Sequence, residues 1–295
     1  MLSRQRIVLT MLAQAGGCLN KLDLVKLLFL LNEEHPTLPK SAVLEFIPYH
    51  RGPYSFTLAH DLKNLEHLGL LNQSARNITL TPLGEEHAAD TPAELQGHAR
   101  STYTRHCDKS TEALIDHVYQ SFPWYTVNSK WEDRRALARH TAEIAIYTTS
   151  YEGVHLDGLL DRLMRHGLRR LIDVRANPVA RRFGFHKSTL ARICPKVGIE
   201  YVHVPEVGIP GTWRADLDTF DSYQRLFHRY ETEVLPSQRS ALDLLVALMR
   251  DAPSALMCKE ANPRCCHRTT LANQLGRELS LPVIDLSSEV NSGLF

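Results

Sequence analysis

Through the first ninety residues, apolar side chains recur at spacings of three and four, the period of a helix that buries one face. Ile7, Val8, Met11 and Leu12 predict a helix over 4–15, stopped by Gly16-Gly17. Leu24, Leu27, Leu28 and Leu31 mark a second, capped by Asn20 or Asp23 and closed by prolines 36 and 39. An apolar stretch, 43–49, leads through His50-Arg51-Gly52-Pro53-Tyr54 to Ser55, the cap of a third helix over 56–68 that Gly69 ends. Leu70-Leu71 and the run 78–84, on either side of a polar turn, predict a strand pair.

From residue 144 the rhythm changes to short apolar runs alternating with helical windows. Strands are expected at 144–149, 170–175, 201–204, 255–258 and 282–286, and helices at 156–166, 187–194, within 219–250, and at 267–279. Such alternation predicts an α/β fold: a mostly parallel, Rossmann-like sheet with helices on both faces. Three segments follow: a small helical domain at 1–90, a polar helical connector at 91–140, and an α/β domain at 141–295. The connector carries helical stretches at 112–120 and 131–140 around Phe122-Pro123-Trp124-Tyr125. That aromatic set either plugs the two domains together or offers a platform for stacking bases.

Helix, helix, turn, helix and strand pair is the order of a winged helix-turn-helix module, and "DLKNLEHLGLLN…ITLTPLGEEHA" resembles the last helix and wing of that superfamily. The resemblance implies a nucleic-acid reader, DNA before RNA, with His50, Arg51, Lys63 and Arg76 as the contacts. Charge pulls the other way. Residues 1–90 hold eight cations against nine carboxylates, so a protein-contact or dimerisation module stays open, and with it a homodimer.

The whole chain of 295 residues carries a formal charge of +1, which excludes a global basic field. No apolar run is long enough to span a membrane, and the N-terminus lacks the pattern of a signal peptide. The six cysteines do not form a disulfide framework; they fit reduced thiols and a cytoplasmic protein, with Cys18 and Cys194 as small core residues. Glycine-rich phosphate loops are absent, so no nucleotide cofactor is expected.

In an open α/β sheet, ligands bind beyond the carboxyl ends of the strands. Those ends read Tyr151-Glu152-Gly153, then Asp173, Arg175 and Asn177 through Arg181, Arg182, Phe185 and Lys187, then Pro205–Gly208, then Cys258-Lys259-Glu260 and Cys265-Cys266-His267-Arg268. The phrases "IYTTSYEG", "LIDVRANPVARRFGFHKSTL", "GIEYVHVPEVGIP" and "CKEANPRCCHRTTLA" resemble the motifs of the domain of unknown function 488 family, over about 144–286. The resemblance implies the α/β fold and this set of rim residues, and no reaction.

The residue types suggest three chemistries. Arg175, Arg181, Arg182, Lys187 and Arg268, with a helix start near His267, suit phosphate, and Tyr151, Asn177 and Phe185 would complete that binding surface. Glu152 and Asp173, on strands read as neighbours and with Glu260 nearby, can divide into acid and base for glycosidic-bond cleavage. Asp173 can equally be a structural ion pair. Cys258, Cys266 and His267 can form a reactive thiol or buried structural thiols; a metal on Cys258, Cys265 or Cys266, and His267 is not expected, nor any other cofactor, because C-x-E-x5-C-H is no standard zinc spacing and adjacent cysteines do not easily reach one ion. The expectation is a DNA-binding enzyme acting on damaged or modified nucleotides, with Phe183, Phe185 or Trp213 as stacking wedge. Its alternative is a winged-helix transcriptional regulator whose α/β domain senses an anionic ligand or thiol redox state.

Overall fold

A computed structural model describes residues 1–214, 217 and 219–287 of the chain, which divides into two compact units, 1–138 and 139–295. Among the described residues no helix is long and apolar enough to cross a membrane.

The first unit runs α1 (Ser3–Gln14), β1 (Cys18–Asn20), α2 (Lys21–Glu34), the hairpin β2 (Ile47–Tyr49) and β3 (Gly52–Tyr54), α3 (Phe56–His67), β4 (Leu71–Gln73), β5 (Asn77–Leu80), α4 (Pro82–Ala89), α5 (Ala93–His106) and α6 (Thr111–Ser121). Asn20 and Ser55 cap α2 and α3 through their side-chain oxygens. Leucines of α1, α2 and α3 close one core, with the ring of Phe29 at its centre. Strands β1, β5 and β4 form a small antiparallel sheet.

Several local expectations change here. Cys18, expected in the core, is exposed on β1, a strand the apolar pattern does not announce. Pro82 does not extend a strand: Thr81 accepts from the Gly84 amide and Pro82 takes the first position of α4. The aromatic set does not stand outward as a stacking platform. Phe122 and Tyr125 pack edge-on against Phe29, 4.9 and 4.6 Å between centroids, inside the first unit's own core. No helix spans 131–140. Only Glu132–Arg134 makes a single 3-10 turn, because that stretch is mostly exposed and has no apolar face to bury.

The second unit runs β6 (Ile146–Ser150), α7 (Leu156–Arg165), β7 (Arg170–Asp173), α8 (Lys187–Ile193), β8 (Glu200–His203), α9 (Phe220–Arg229), α10 (Arg239–Asp251), β9 (Ser254–Cys258), α11 (His267–Leu279) and β10 (Val283–Asp285). A π-helical turn, Tyr230–Val234, separates α9 from α10. The five strands are all parallel, in the order β10-β6-β9-β7-β8, and helices flank them. β6, β7 and β9 are buried along their whole length, as a covered parallel sheet requires. The chain leaves β9 toward the β10 edge and leaves β7 toward the β8 edge. Connections diverging from adjacent strands open a crevice between their carboxyl ends, so the switch point lies at Cys258 and Asp173.

Candidate functional site

β9 lies between β6 and β7, so Glu152 and Asp173 are not on neighbouring strand ends. Asp173 is fully buried and takes four hydrogen bonds: from the backbone N, Nε and Nη2 of Arg175 (3.1, 2.8 and 2.6 Å) and from the Tyr201 hydroxyl (2.7 Å). Both its oxygens are committed, so the ion-pair reading of Asp173 replaces the acid–base one. Burial works against the charge on Arg175, but Asp173 holds the guanidinium's pKa above its ordinary value. Burial and the Asp173 charge push the Tyr201 hydroxyl up.

Arg175 also donates to Tyr151 Oη at 3.1 Å and to the Phe185 carbonyl at 2.9 Å. Phe185 is itself fully buried, stacked 4.3 Å from the Tyr151 ring, and is no wedge for a base. Burial outweighs Arg175 and raises the Tyr151 hydroxyl. Arg268 is buried too. Its Nη1 binds the Glu260 carbonyl, and its Nη2 reaches Ala261 O at 3.4 Å, Ser287 Oγ at 3.2 Å and Asp285 at 3.5 Å. Arg175 and Arg268 therefore brace the rim from inside; neither faces a phosphate. Asn177, Arg181, Arg182 and Lys187 remain exposed, with Arg182 3.1 Å from His155 Nδ1. Phe183 is half-buried, and Trp213 lies half-buried under the Arg229 guanidinium, 3.6 Å from its ring centre.

What converges on the switch point is sulfur. Cys258 ends β9, Cys266 is the N-cap of α11 and His267 its first residue; all three are 1% exposed. Their ligand atoms lie within 4.8 Å of one another. Both sulfurs sit 3.1 Å from Glu260 Oε2, and Cys258 Sγ is 3.6 Å from His267 Nδ1. His267 Nε2 lies 3.1 Å from the Val174 carbonyl. A carbonyl only accepts, so Nε2 carries the proton and Nδ1 faces the thiols.

The Cys266 thiol donating to Cys258 is the largest cause that pulls the Cys258 pKa below the usual thiol range. Burial and its donation to Cys258 raise Cys266. One thiolate sharing one proton with its neighbour is the form this pair favours. The loop between them is pinned: Glu152, otherwise exposed, accepts from the Ala261 amide at 2.8 Å while Arg268 holds the Glu260 carbonyl. Beside Cys266 opens a cleft of about 380 Å³, walled by Phe227, His228 and Glu231 on one side and Arg264, Thr269 and Asn273 on the other.

Three residues of the site have no forecast in the sequence reading. Tyr201 and His203 lie two apart on β8, the period that sends them to one face; Tyr201 binds Asp173, and His203 Nε2 donates to the Arg175 carbonyl at 2.9 Å. That spacing, in "GIEYVHVPEVGIP", is the signal. Tyr230, in the π-helical turn, presses its ring against His267 (5.5 Å, 82°) and donates to Val207 O at 2.5 Å; a buried tyrosine in a long helical window gives no such signal. Gly208, from the same motif, is required by close approach. A Cβ there would stand 2.2 Å from the Ala176 nitrogen.

In the first unit, Arg51, Lys63 and Arg76 are exposed, at the β2–β3 turn, on α3 and in the β4–β5 turn. His50 is half-buried, its ring stacked 4.0 Å from Tyr49. No curated protein matches the chain. Residues 155–275, within the α/β unit, match the family model described as "Domain of unknown function DUF488".

Proposed function

We propose that the protein is a winged-helix regulator of nucleic acid, DNA first, whose α/β unit is a thiol switch. The observation that carries this is the pair of buried sulfurs, Cys258 and Cys266, gathered on one Glu260 oxygen at the crevice of the sheet. With hydrogen peroxide as oxidant, the Cys258 thiolate takes one oxygen; the O–O bond breaks and water leaves. Cys266 then attacks the sulfenic sulfur, its proton going to the departing oxygen as a second water, leaving a disulfide. The pair loses two electrons and the peroxide gains them.

The reader in this proposal is the first unit. Its order of helix, strand, helix, hairpin, helix and two strands supports the winged-helix reading, and Lys63 and Arg76 stand exposed on the third helix and in the turn that would be the wing. Duplex binding measured by fluorescence anisotropy tests it. Oxidised and reduced protein should differ in affinity by about fivefold or more, reversed by dithiothreitol and absent in Cys258→Ser. Equal affinity in both states overturns the switch. Lys63→Ala with Arg76→Ala should weaken binding and flatten its salt dependence by about one unit per cation removed.

Glycosidic-bond cleavage keeps a narrower footing, because Glu152 is the carboxylate left exposed at the end of β6. Incubation with lesion-bearing DNA, followed by mass spectrometry for released bases, decides it: release by wild type and none by Glu152→Gln would support a hydrolase.

A further inference from the structure

We propose that Cys258, Cys266 and His267, completed by Glu260, form a binding site for one zinc-class divalent ion. The proposal goes beyond the thiol switch and does not depend on it, since a disulfide needs no ion and an ion needs no oxidation.

The donor set comes first. Two sulfurs, one imidazole nitrogen and one carboxylate oxygen are the ligand types that select zinc over magnesium or calcium. The spacing agrees. A tetrahedron with bonds of about 2.3 Å to sulfur and 2.0 Å to nitrogen has a sulfur–nitrogen edge of roughly 3.5 Å. Cys258 Sγ and His267 Nδ1 are 3.6 Å apart, and the three ligand atoms all lie within 4.8 Å of one another. Glu260 Oε2, at 3.1 Å from both sulfurs, has only to withdraw by a few tenths of an ångström to take the fourth corner.

The surroundings are built for the same purpose. His267 commits Nε2–H to the Val174 carbonyl, which fixes the tautomer and leaves the Nδ1 lone pair facing the sulfurs. Arg268 holds the Glu260 carbonyl, and Glu152 holds the Ala261 amide, so the ligand loop is set before any ion arrives. Cys266 lines the cleft, which gives an ion its way in. On binding, each thiol that still carries a proton releases it to solvent and the sulfur becomes a thiolate ligand, while the Glu260 carboxylate turns to the cation.

The test uses the full chain. Metal content is measured after purification, and the apo protein is then titrated with Co²⁺ while the sulfur-to-cobalt charge-transfer band is followed. One ion per chain and a thiolate band are expected. His267→Gln should weaken Co²⁺ binding by more than about tenfold. Cys258→Ser and Cys266→Ser should each weaken the band and the double variant should lose it, while Cys194→Ser and Cys265→Ser keep it in full. Because a cysteine variant can fail to fold, apo wild type is also melted with and without Zn²⁺, and a rise in Tm is expected. Two results overturn the site: a cooperatively folded apo chain that gives no band and no Tm rise, or an undiminished band in the Cys258→Ser/Cys266→Ser double variant, which puts the ion on other thiols. Neither result touches the redox test of DNA affinity, so the two readings fail separately.

Discussion

Lys26 shows how much one side chain can say. It is 1% exposed on α2, its ammonium turned to the carbonyls of Arg51 and Pro53. Burial lowers its pKa from 10.5 to about 7. Between those values the unfolded chain holds a proton that the folded chain has released, so stability rises as pH increases from 7 to 10. Below pH 7 both states are protonated and this contribution is flat. Wild type should gain roughly 3–5 kcal/mol over Lys26→Met across that window, read from denaturant melts at each pH. Asp173→Asn should cost about 3–5 kcal/mol at neutral pH, because it strands the buried Arg175 guanidinium. Residue types at strand ends identify the rim but not the direction a charge faces. Arg175 and Arg268 look like phosphate ligands in the sequence, and it is the packing that turns both toward carbonyls and carboxylates.

Among elements, two glycines give opposite expectations. A Cβ on Gly84, in α4, would lie 2.0 Å from the Leu70 carbonyl oxygen, and Gly84→Ala should destabilise the first unit by about 1–3 kcal/mol. Gly97 is exposed within α5 with nothing within 4 Å of that position, so Gly97→Ala should stabilise by roughly 0.5–1 kcal/mol. Thermal melts of the two variants check both. Helices with a clear apolar stripe are legible: α1, α2, α3, α7 and α11 lie within a few residues of their expected places. Those set by something other than periodicity are not. β1 exists because β5 pairs with it, and the charged stretch at 131–140 has helix formers but lies mostly exposed.

For the whole molecule, the sequence carries the alternation of strands and helices but not the order in which the strands lie side by side. Parallel pairing is non-local, and nothing in the β9 segment says that it enters between β6 and β7. That insertion separates Glu152 from Asp173, carries Cys258 to the switch crevice, and lets α11 deliver Cys266 and His267 beside it. The functional account follows from this arrangement: buried cysteines at the crevice should react as a pair, ahead of the exposed Cys18 and Cys107. Exposure alone predicts the reverse order. The most direct measurement is peptide mapping of the full chain after substoichiometric peroxide and alkylation. The account predicts a Cys258–Cys266 disulfide as the first product, with Cys18 and Cys107 still alkylated. Oxidation of Cys18 and Cys107 first, with Cys258 and Cys266 remaining as free thiols, would contradict it.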